Sequence, residues 1–186
     1  FGGYNRYLWG PRLRHIQETC PAFIWKLGSK ALQGVSPAQW DNLYGNISKI
    51  LPAGYRYRQV GEKLHKVGVA LGVGNEKDMY RRFVWSWVDA MPVLDGLPKD
   101  LLGTDEAAWN LGNSFRERMM YQDLVTYLPG DILVKVDRAS MSLGLEVRSP
   151  MLDNRILEFG TSIPNSMLYA RHAGKNILHL LLERYL

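Results

Sequence analysis

Four polar side chains in the second half of the chain recur at spacings of four, three and four residues: Asp131, Lys135, Arg138 and Ser142. This spacing places them on one stripe of a helix. Asp131 and Lys135 form a weakly favourable ion pair, whereas Lys135 and Arg138 are neighbouring cations that repel. Two cations on one stripe suit a phosphate or a carboxylate, which arginine contacts through two parallel hydrogen bonds. The spacing alone favours the simpler interpretation, a solvated face with an ordinary ion pair.

Asp137 lies off that stripe, toward Leu133 and Met141. A carboxylate near an apolar boundary costs free energy unless it is paired. Arg138 is adjacent in sequence but points elsewhere, so we expect the partner to come from another segment. That partner belongs either to a functional site or to a buried structural salt bridge.

Glu146 and Arg148 lie two residues apart in a segment that Pro150 forces toward extended backbone. Side chains two residues apart in extended backbone point to the same side. Two interpretations stay open. The pair either orients Arg138 or Asp137, or braces two helices structurally, and the brace is slightly favoured.

Gly174 and Lys175 precede the last predicted helix. A lysine in that position can reach a phosphate, because helix N-termini favour anions. A surface lysine without a function is an equal alternative. The four histidines lack metal-ligand spacing, so we predict no metal site.

The composition is that of an ordinary globular protein. The chain has 186 residues, 46% of them hydrophobic and 22% charged, which suffices for one domain with a core. No stretch approaches the roughly 18 uninterrupted apolar residues of a membrane span. The single cysteine, Cys20, excludes an internal disulfide and fits a reducing, cytoplasmic setting. The net charge is +5, with small basic clusters between Arg12 and Arg82. Solvated helix faces explain these clusters better than nucleic-acid binding does.

Helical periodicity dominates the elements that must position these residues. Ser36 and Gln39 form a capping box around Pro37, and Pro129 is expected to stop a helix. Further helix caps are expected at Asn75, Asn113 and Asp153. The predicted helices cover residues 36–51, 55–71, 105–109, 113–127, 130–143 and 173–185, together with the segments that follow Asn75 and Asp153. Residues 91–102 read as a loop, and short extended pieces are expected at 145–148 and 167–169.

Three segments together resemble the synthetase domain of glutamine-dependent asparagine synthetases. Residues 127–153 read YLPGDILVKVDRASMSLGLEVRSPMLD, which is similar to that family's YLPxDILVKVDRASM followed by LExRxPxLD. Residues 1–7, FGGYNRY, resemble the end of its GDE-(L/V)-F-(A/G)-GY motif. Residues 173–186, AGKNILHLLLERYL, resemble its GK-x-x-L-R helix. Residues 10–120 carry no diagnostic motif.

The resemblance implies a mainly α fold. The chain would be the helical C-terminal half of an α/β synthetase domain of the adenine-nucleotide α-hydrolase-like (ATP-pyrophosphatase) class, whose sheet half lies upstream. Its nucleotide loop, SGGxDS, is not found in this sequence, and position 1 is not Met. We therefore expect residues 1–186 to form a single helical (sub)domain of a longer protein, preceded by nucleotide-binding and glutaminase regions.

The resemblance also implies ATP-dependent amidation of aspartate with Mg²⁺, through an aspartyl-adenylate that ammonia from glutamine converts to asparagine. It places Asp137 and Arg138 at the catalytic site. Lys135, Arg138 and Lys175 are the candidates for contacting ATP, while Glu146 and Arg148 would orient the catalytic pair. The isolated chain is expected to be inactive.

Other functions remain open. A related enzyme could act on another carboxylate, as the β-lactam synthetases do. A helical binding module without catalysis, or a nucleic-acid binder using the basic clusters, belongs to a different class. A homodimer is a further partner to consider, and no membrane partner is expected.

Overall fold

The computed structural model describes residues 2–49, 59–84, 106–169 and 174–186. Over these ranges the regular structure is helical and includes no strand, which confirms the mainly α prediction. Contacts divide the chain into two compact units, Phe1–Trp9 with Leu97–Leu186, and Gly10–Gly96. The single (sub)domain over 1–186 stays a prediction. None of the described helices is both long and apolar enough to span a membrane.

The unit Gly10–Gly96 holds most of α1 (Arg6–Thr19) and four further helices: α2 (Ala22–Gly34), α3 (Pro37–Ser48), α4 (Val60–Leu71) and α5 (Glu76–Val84). Its described core contains Leu13, Trp25, Ala70, Leu71, Met79 and Tyr80, all buried. Helix α4 packs closely on α2, where the Ser29 hydroxyl donates to the Gly68 carbonyl at 2.8 Å. A Cβ on Gly68 would lie 2.8 Å from Leu32 Cβ, so only glycine permits this approach.

The predicted caps of this unit are largely confirmed. Ser36 and Gln39 form the capping box on α3. The Asn75 carboxamide oxygen accepts from the Asp78 N–H at 2.8 Å, at the start of α5. The predicted helix 55–71 is wrong at its start, because Gln59 is left-handed (φ 55°) and α4 begins at Val60. Residues 50–58, Trp87 and the loop 91–102 lie outside the described residues.

The unit Phe1–Trp9 with Leu97–Leu186 contains the first turn of α1 and a longer series of elements. These are α6 (Glu106–Trp109), α7 (Phe115–Gln122), a π-helical segment (Asp123–Leu133), α8 (Val134–Met141), a 3-10 turn (Pro150–Leu152), α9 (Asn154–Ser162), α10 (Asn165–Leu168) and α11 (Asn176–Tyr185). Tyr7, Trp109, Phe115, Met119, Ile163 and Leu168 form the described part of its core.

The predicted break at Pro129 is wrong. Helical backbone continues from Phe115 to Met141, with Pro129 inside the π-helical segment. In an α-helix the proline ring would clash with the carbonyl four residues earlier. The wider π-type turn separates these groups and accommodates the missing N–H, so the helix passes through the proline.

Three other boundaries differ from the sequence prediction. Ser114, rather than Asn113, caps α7, because its hydroxyl accepts from the Glu117 N–H at 3.3 Å. The extended piece predicted at 167–169 is wrong for Met167 and Leu168, which end α10, and is confirmed only at Tyr169 (φ −126°, ψ 109°). Helix α11 begins at Asn176, three residues later than predicted. Asp153 caps α9 as expected, accepting from the Arg155 N–H at 3.0 Å.

Candidate functional site

The predicted charged stripe lies on the π-helical segment and α8. Lys135 Nζ and the Asp131 carboxylate are 2.5 Å apart, which confirms this ion pair. The hydrogen bond with Asp131 raises the pKa of Lys135, although the lysine side chain is 71% exposed. Arg138 and Ser142 are also exposed. The stripe therefore presents its cations to solvent within this chain.

Asp137 is exposed on α8, a helix that buries none of its own residues. The expectation that Asp137 needs a partner from another segment is wrong for this chain, because a solvated carboxylate carries no desolvation cost to offset. Arg138 is equally exposed. Their placement at a catalytic site stays a prediction.

Glu146 and Arg148 form an ion pair with each other. This contact confirms that the two side chains point to the same side, and Ser149 has the extended backbone expected before a proline (φ −110°, ψ 94°). Both side chains are largely exposed, at 70% and 85%. The described residues show no hydrogen bond from this pair to Arg138 or Asp137, so an orienting role stays a prediction.

Lys175 occupies the cap position before α11 in the left-handed conformation (φ 61°). Its aliphatic chain runs against the N-terminal motif, since a Cβ on Gly3 would lie 2.6 Å from Lys175 Cε. A Cβ on Gly174 would collide with the Gly2 carbonyl oxygen. The glycines at residues 2, 3 and 174 thus allow two segments distant in sequence to touch.

The N-terminal motif also contacts the start of the long central motif. The rings of Tyr4 and Tyr127 meet edge to face with centroids 5.9 Å apart. The Arg6 guanidinium lies 4.1 Å from the Tyr4 ring centroid and 4.9 Å from that of Tyr127. The three segments that carry the family resemblance therefore converge in one unit.

A buried charge cluster anchors this convergence. Asp123, at the start of the π-helical segment, is only 4% exposed. Arg6 Nε and Nη2 each lie 2.8 Å from the same Asp123 carboxylate oxygen. The Tyr7 hydroxyl donates a short hydrogen bond to that oxygen. Burial and the adjacent Asp123 carboxylate both raise the pKa of Tyr7.

Arg6, Tyr7 and Asp123 are not among the site residues predicted from the sequence. A signal for Asp123 was nevertheless present. Phe115, Met119, Asp123 and Tyr127 are spaced by four residues, so the carboxylate falls on a helix face that is otherwise apolar. A carboxylate in that position requires a cationic partner, and only the tertiary structure shows that Arg6 supplies it.

A cavity of about 650 Å³ opens beside the cluster. The residues that line it include Tyr4, Tyr7, Asp123 and Tyr127, together with residues of α9 and α10. Its volume is typical of small-molecule sites. The Asp123 carboxylate already accepts hydrogen bonds from Arg6 and Tyr7. Its negative charge is therefore paired within the protein and is not offered to a cationic ligand in the cavity.

Magnesium in nucleotide enzymes is held by one or two carboxylates together with substrate phosphates. No group of three or more potential ligand side chains that could hold a metal ion occurs among the described residues. A Mg²⁺ ion held by one or two carboxylates and substrate phosphates needs no such group, so the use of Mg²⁺ stays a prediction from the family resemblance.

The family model and the similar proteins that match this chain all carry the description asparagine synthase or asparagine synthetase. A family model described as asparagine synthase matches residues 1–186. A protein of Mycobacterium bovis provisionally named asparagine synthetase (glutamine-hydrolysing) is 32% identical over 143 residues, which are 75% of this chain and 21% of that protein. A Mycobacterium tuberculosis protein of the same name matches equally. Asparagine synthetase (glutamine-hydrolysing) 1 of Bacillus subtilis is 34% identical over 61 residues, covering 33% of this chain and 10% of that protein.

The mycobacterial matches extend over most of this chain, which spans about a fifth of the length of those relatives. No solved structure matches it. The family model covers the whole sequence, including the three segments that converge in the structure. The chain belongs to the asparagine synthase family.

Proposed function

We propose that this chain is part of an ATP-dependent ligase that makes asparagine from aspartate. The observation that carries the proposal is the asparagine synthase match over residues 1–186. The convergence of residues 2–7, Tyr127 and Lys175 in one unit supports it. Nitrogen would come from glutamine, through an upstream glutaminase region, or directly from ammonia.

The reaction would proceed in two steps. A side-chain carboxylate oxygen of aspartate attacks the α-phosphorus of ATP, and the bond to the leaving pyrophosphate breaks. Ammonia then attacks the activated carbonyl carbon, the carbon–oxygen bond to AMP breaks, and a proton is lost. Both steps develop negative charge on phosphate oxygens, which pre-positioned cations stabilise.

Lys135, Arg138 and Lys175 are the cations assigned to these phosphates. Arg138 suits bidentate contact, and the lysines act as point charges. Lys135 is 71% exposed in its ion pair with the half-buried Asp131, so exchanging that carboxylate for a phosphate costs little. Asp137 would act beside Arg138, with Glu146 and Arg148 orienting that pair.

The test uses the full-length protein that carries this chain, supplied with ATP, Mg²⁺, aspartate and ammonia. Asparagine formed in step with AMP and pyrophosphate is the expected result. AMP without asparagine would indicate another carboxylate acceptor, and neither product would indicate a non-catalytic helical module. Either of these outcomes contradicts the proposal.

Arg138→Ala tests the assignment of residues. We expect kcat/KM for ATP to fall roughly 10- to 100-fold, the scale on which removing one preorganised charge-stabilising donor acts. Arg155→Ala is the matched control, because Arg155 is equally an exposed arginine but pairs with the α9 cap Asp153. Equal activity in the two variants would remove Arg138 from the site. Asp137→Asn is paired with Asp153→Asn in the same way.

Two further proposals concern the setting of the enzyme. Cys20 is a free, half-buried thiol, which supports a reducing, cytoplasmic location.

A homodimer would be tested by light scattering of the full-length protein. A monomer at assay concentration would exclude it.

A further inference from the structure

Asp123 holds the N-terminal motif at two adjacent residues. Its buried carboxylate oxygen accepts from Arg6 and from Tyr7, which are the first two residues of α1. A buried carboxylate is tolerated when paired and hydrogen-bonded, and removing its partners leaves an uncompensated charge. The carboxylate therefore fixes the place where α1 begins.

Aromatic rings confine the same arginine from other directions. The Arg6 guanidinium lies over Tyr4 at 4.1 Å and over Tyr127 at 4.9 Å. A planar guanidinium can stack on aromatic rings while its N–H groups face a carboxylate, which lysine cannot reproduce. Arg6 consequently links the central motif to the backbone just before α1.

That backbone touches Lys175. Gly3 has no room for a Cβ beside Lys175 Cε, and Gly2 has none beside the Tyr169 ring. Arg116 reinforces this end of the contact, since its Nε donates to the Tyr7 carbonyl at 2.9 Å and its guanidinium lies 4.3 Å from the Tyr169 ring centroid. Movement of residues 2–4 would therefore displace the lysine side chain.

We propose that Asp123 is a positioning residue for the synthetase reaction, which holds Arg6 and Tyr7 and, through Gly2 and Gly3, sets the Lys175 ammonium. This inference rests on the proposed function, in which Lys175 contacts phosphate. Asp123 itself touches no substrate in this scheme. Displacing a phosphate-contacting group by about 1 Å can reduce the rate 100-fold, so an indirect contact suffices for a large effect.

The test is a double-mutant cycle in the full-length protein, with kcat/KM for ATP as the readout. Asp123→Asn is expected to lower it at least tenfold, and Tyr7→Phe about three- to tenfold. In a Lys175→Met background both substitutions should cost less than about twofold, because the group that they position is already absent. A general loss of folding would instead multiply with the lysine effect. Equal fold-losses in the two backgrounds, or no loss in either, would overturn the inference.

Tyr7→Phe keeps the inference testable where Asp123→Asn does not fold, because it removes only one hydrogen bond. Asp153→Asn is the matched control, since Asp153 is an exposed helix cap outside the cluster. It should leave kcat/KM for ATP unchanged.

A second readout separates this inference from the proposed function. Reductive ¹³C-methylation labels the lysine amines, and Lys175→Arg identifies the Lys175 resonance by NMR. Tyr7→Phe should shift or broaden that resonance, while Asp153→Asn should not. An unmoved resonance overturns the inference. A moved resonance in a protein that makes no AMP upholds the positioning contact and rejects the synthetase proposal.

Discussion

Asp123 and Asp131 illustrate how burial changes the contribution of an ion pair to the stability of the fold. Arg6 and Asp123 are almost fully buried, at 12% and 6% side-chain exposure, whereas Lys135 beside Asp131 is 71% exposed. Exposed pairs contribute little because water and salt screen them, while a broken buried pair leaves a charge without solvation.

We therefore expect Asp123→Ala to lower the free energy of unfolding by about 3–5 kcal/mol. Asp131→Ala, the control from the same helical stretch, should change it by no more than the experimental error. Urea denaturation followed by circular dichroism measures both. Similar losses for the two variants would contradict the structure of the buried cluster.

Two phenols, the buried Tyr7 and the half-buried Tyr169, predict the response of stability to alkaline pH. Burial is the largest cause that raises the pKa of Tyr169 to about 12, and it also raises the pKa of Tyr7 above its usual range. The folded state thus keeps protons that the unfolded chain loses near pH 10. Stability is fully present below that pH and falls as pH rises toward the folded pKa values.

Urea unfolding from about pH 8 to about pH 11 should therefore show a decline that begins near pH 10. The decline should be shallower in Tyr7→Phe and in Tyr169→Phe, because each removes one titrating group. Tyr185→Phe is the control, as Tyr185 is 72% exposed. A decline that neither Tyr7→Phe nor Tyr169→Phe reduces would contradict the prediction.

Helix packing in the unit Gly10–Gly96 depends on missing side chains. Gly68 lies where α4 meets α2, and a Cβ there would come within 2.8 Å of Leu32 Cβ. Gly45, within α3, has nothing within 4 Å of the same position. Both glycines lie in helix interiors, so replacing either one with alanine gives the same intrinsic gain in helix propensity.

Gly68→Ala should destabilise the protein by about 1–3 kcal/mol, because the helices must move apart. Gly45→Ala should stabilise it by up to about 1 kcal/mol through helix propensity. If α4 packs as described, thermal or urea unfolding should show a lower free energy of unfolding for Gly68→Ala and a higher one for Gly45→Ala. The same sign for both would show that the close approach is absent.

At Pro129 the observed helix boundary differs from the one that local sequence rules predict. A proline normally ends a helix, and the sequence predicts a break there. The π-helical turn removes the clash and carries the helix from Phe115 to Met141. Lys135 and Arg138 therefore lie on the same continuous helical stretch as the buried Asp123.

In the part of the chain that the structure describes, the proposed synthetase residues are exposed to solvent. Helix α8 buries no residue, and apolar side chains around it, including Val136, Met141 and Leu143, are exposed. Charges stabilise a transition state most effectively in a site from which water is excluded. We expect the isolated chain to yield less than about a hundredth of the AMP made by the full-length protein. Comparable yields in the same assay would contradict this.

Several features follow from the sequence because they depend on neighbours along the chain. The capping box at Ser36, the Asp153 cap and the Asp131–Lys135 pair are set by spacings of two to four residues, and the structure contains all three. The ordered motifs indicated the family in the same way, since a long pattern is read directly from residue order. The roles of Asp137, Arg138 and Lys175 remain predictions.

Other features required the tertiary structure. Arg6 and Asp123 are 117 positions apart, and no local spacing relates them. Gly3 and Lys175 meet only because the chain folds back. Local sequence determined caps, helical faces and family, because short-range sterics and hydrogen bonds decide them. Packing alone decided which carboxylate is buried and which cations are exposed, because desolvation depends on every segment that surrounds a charge.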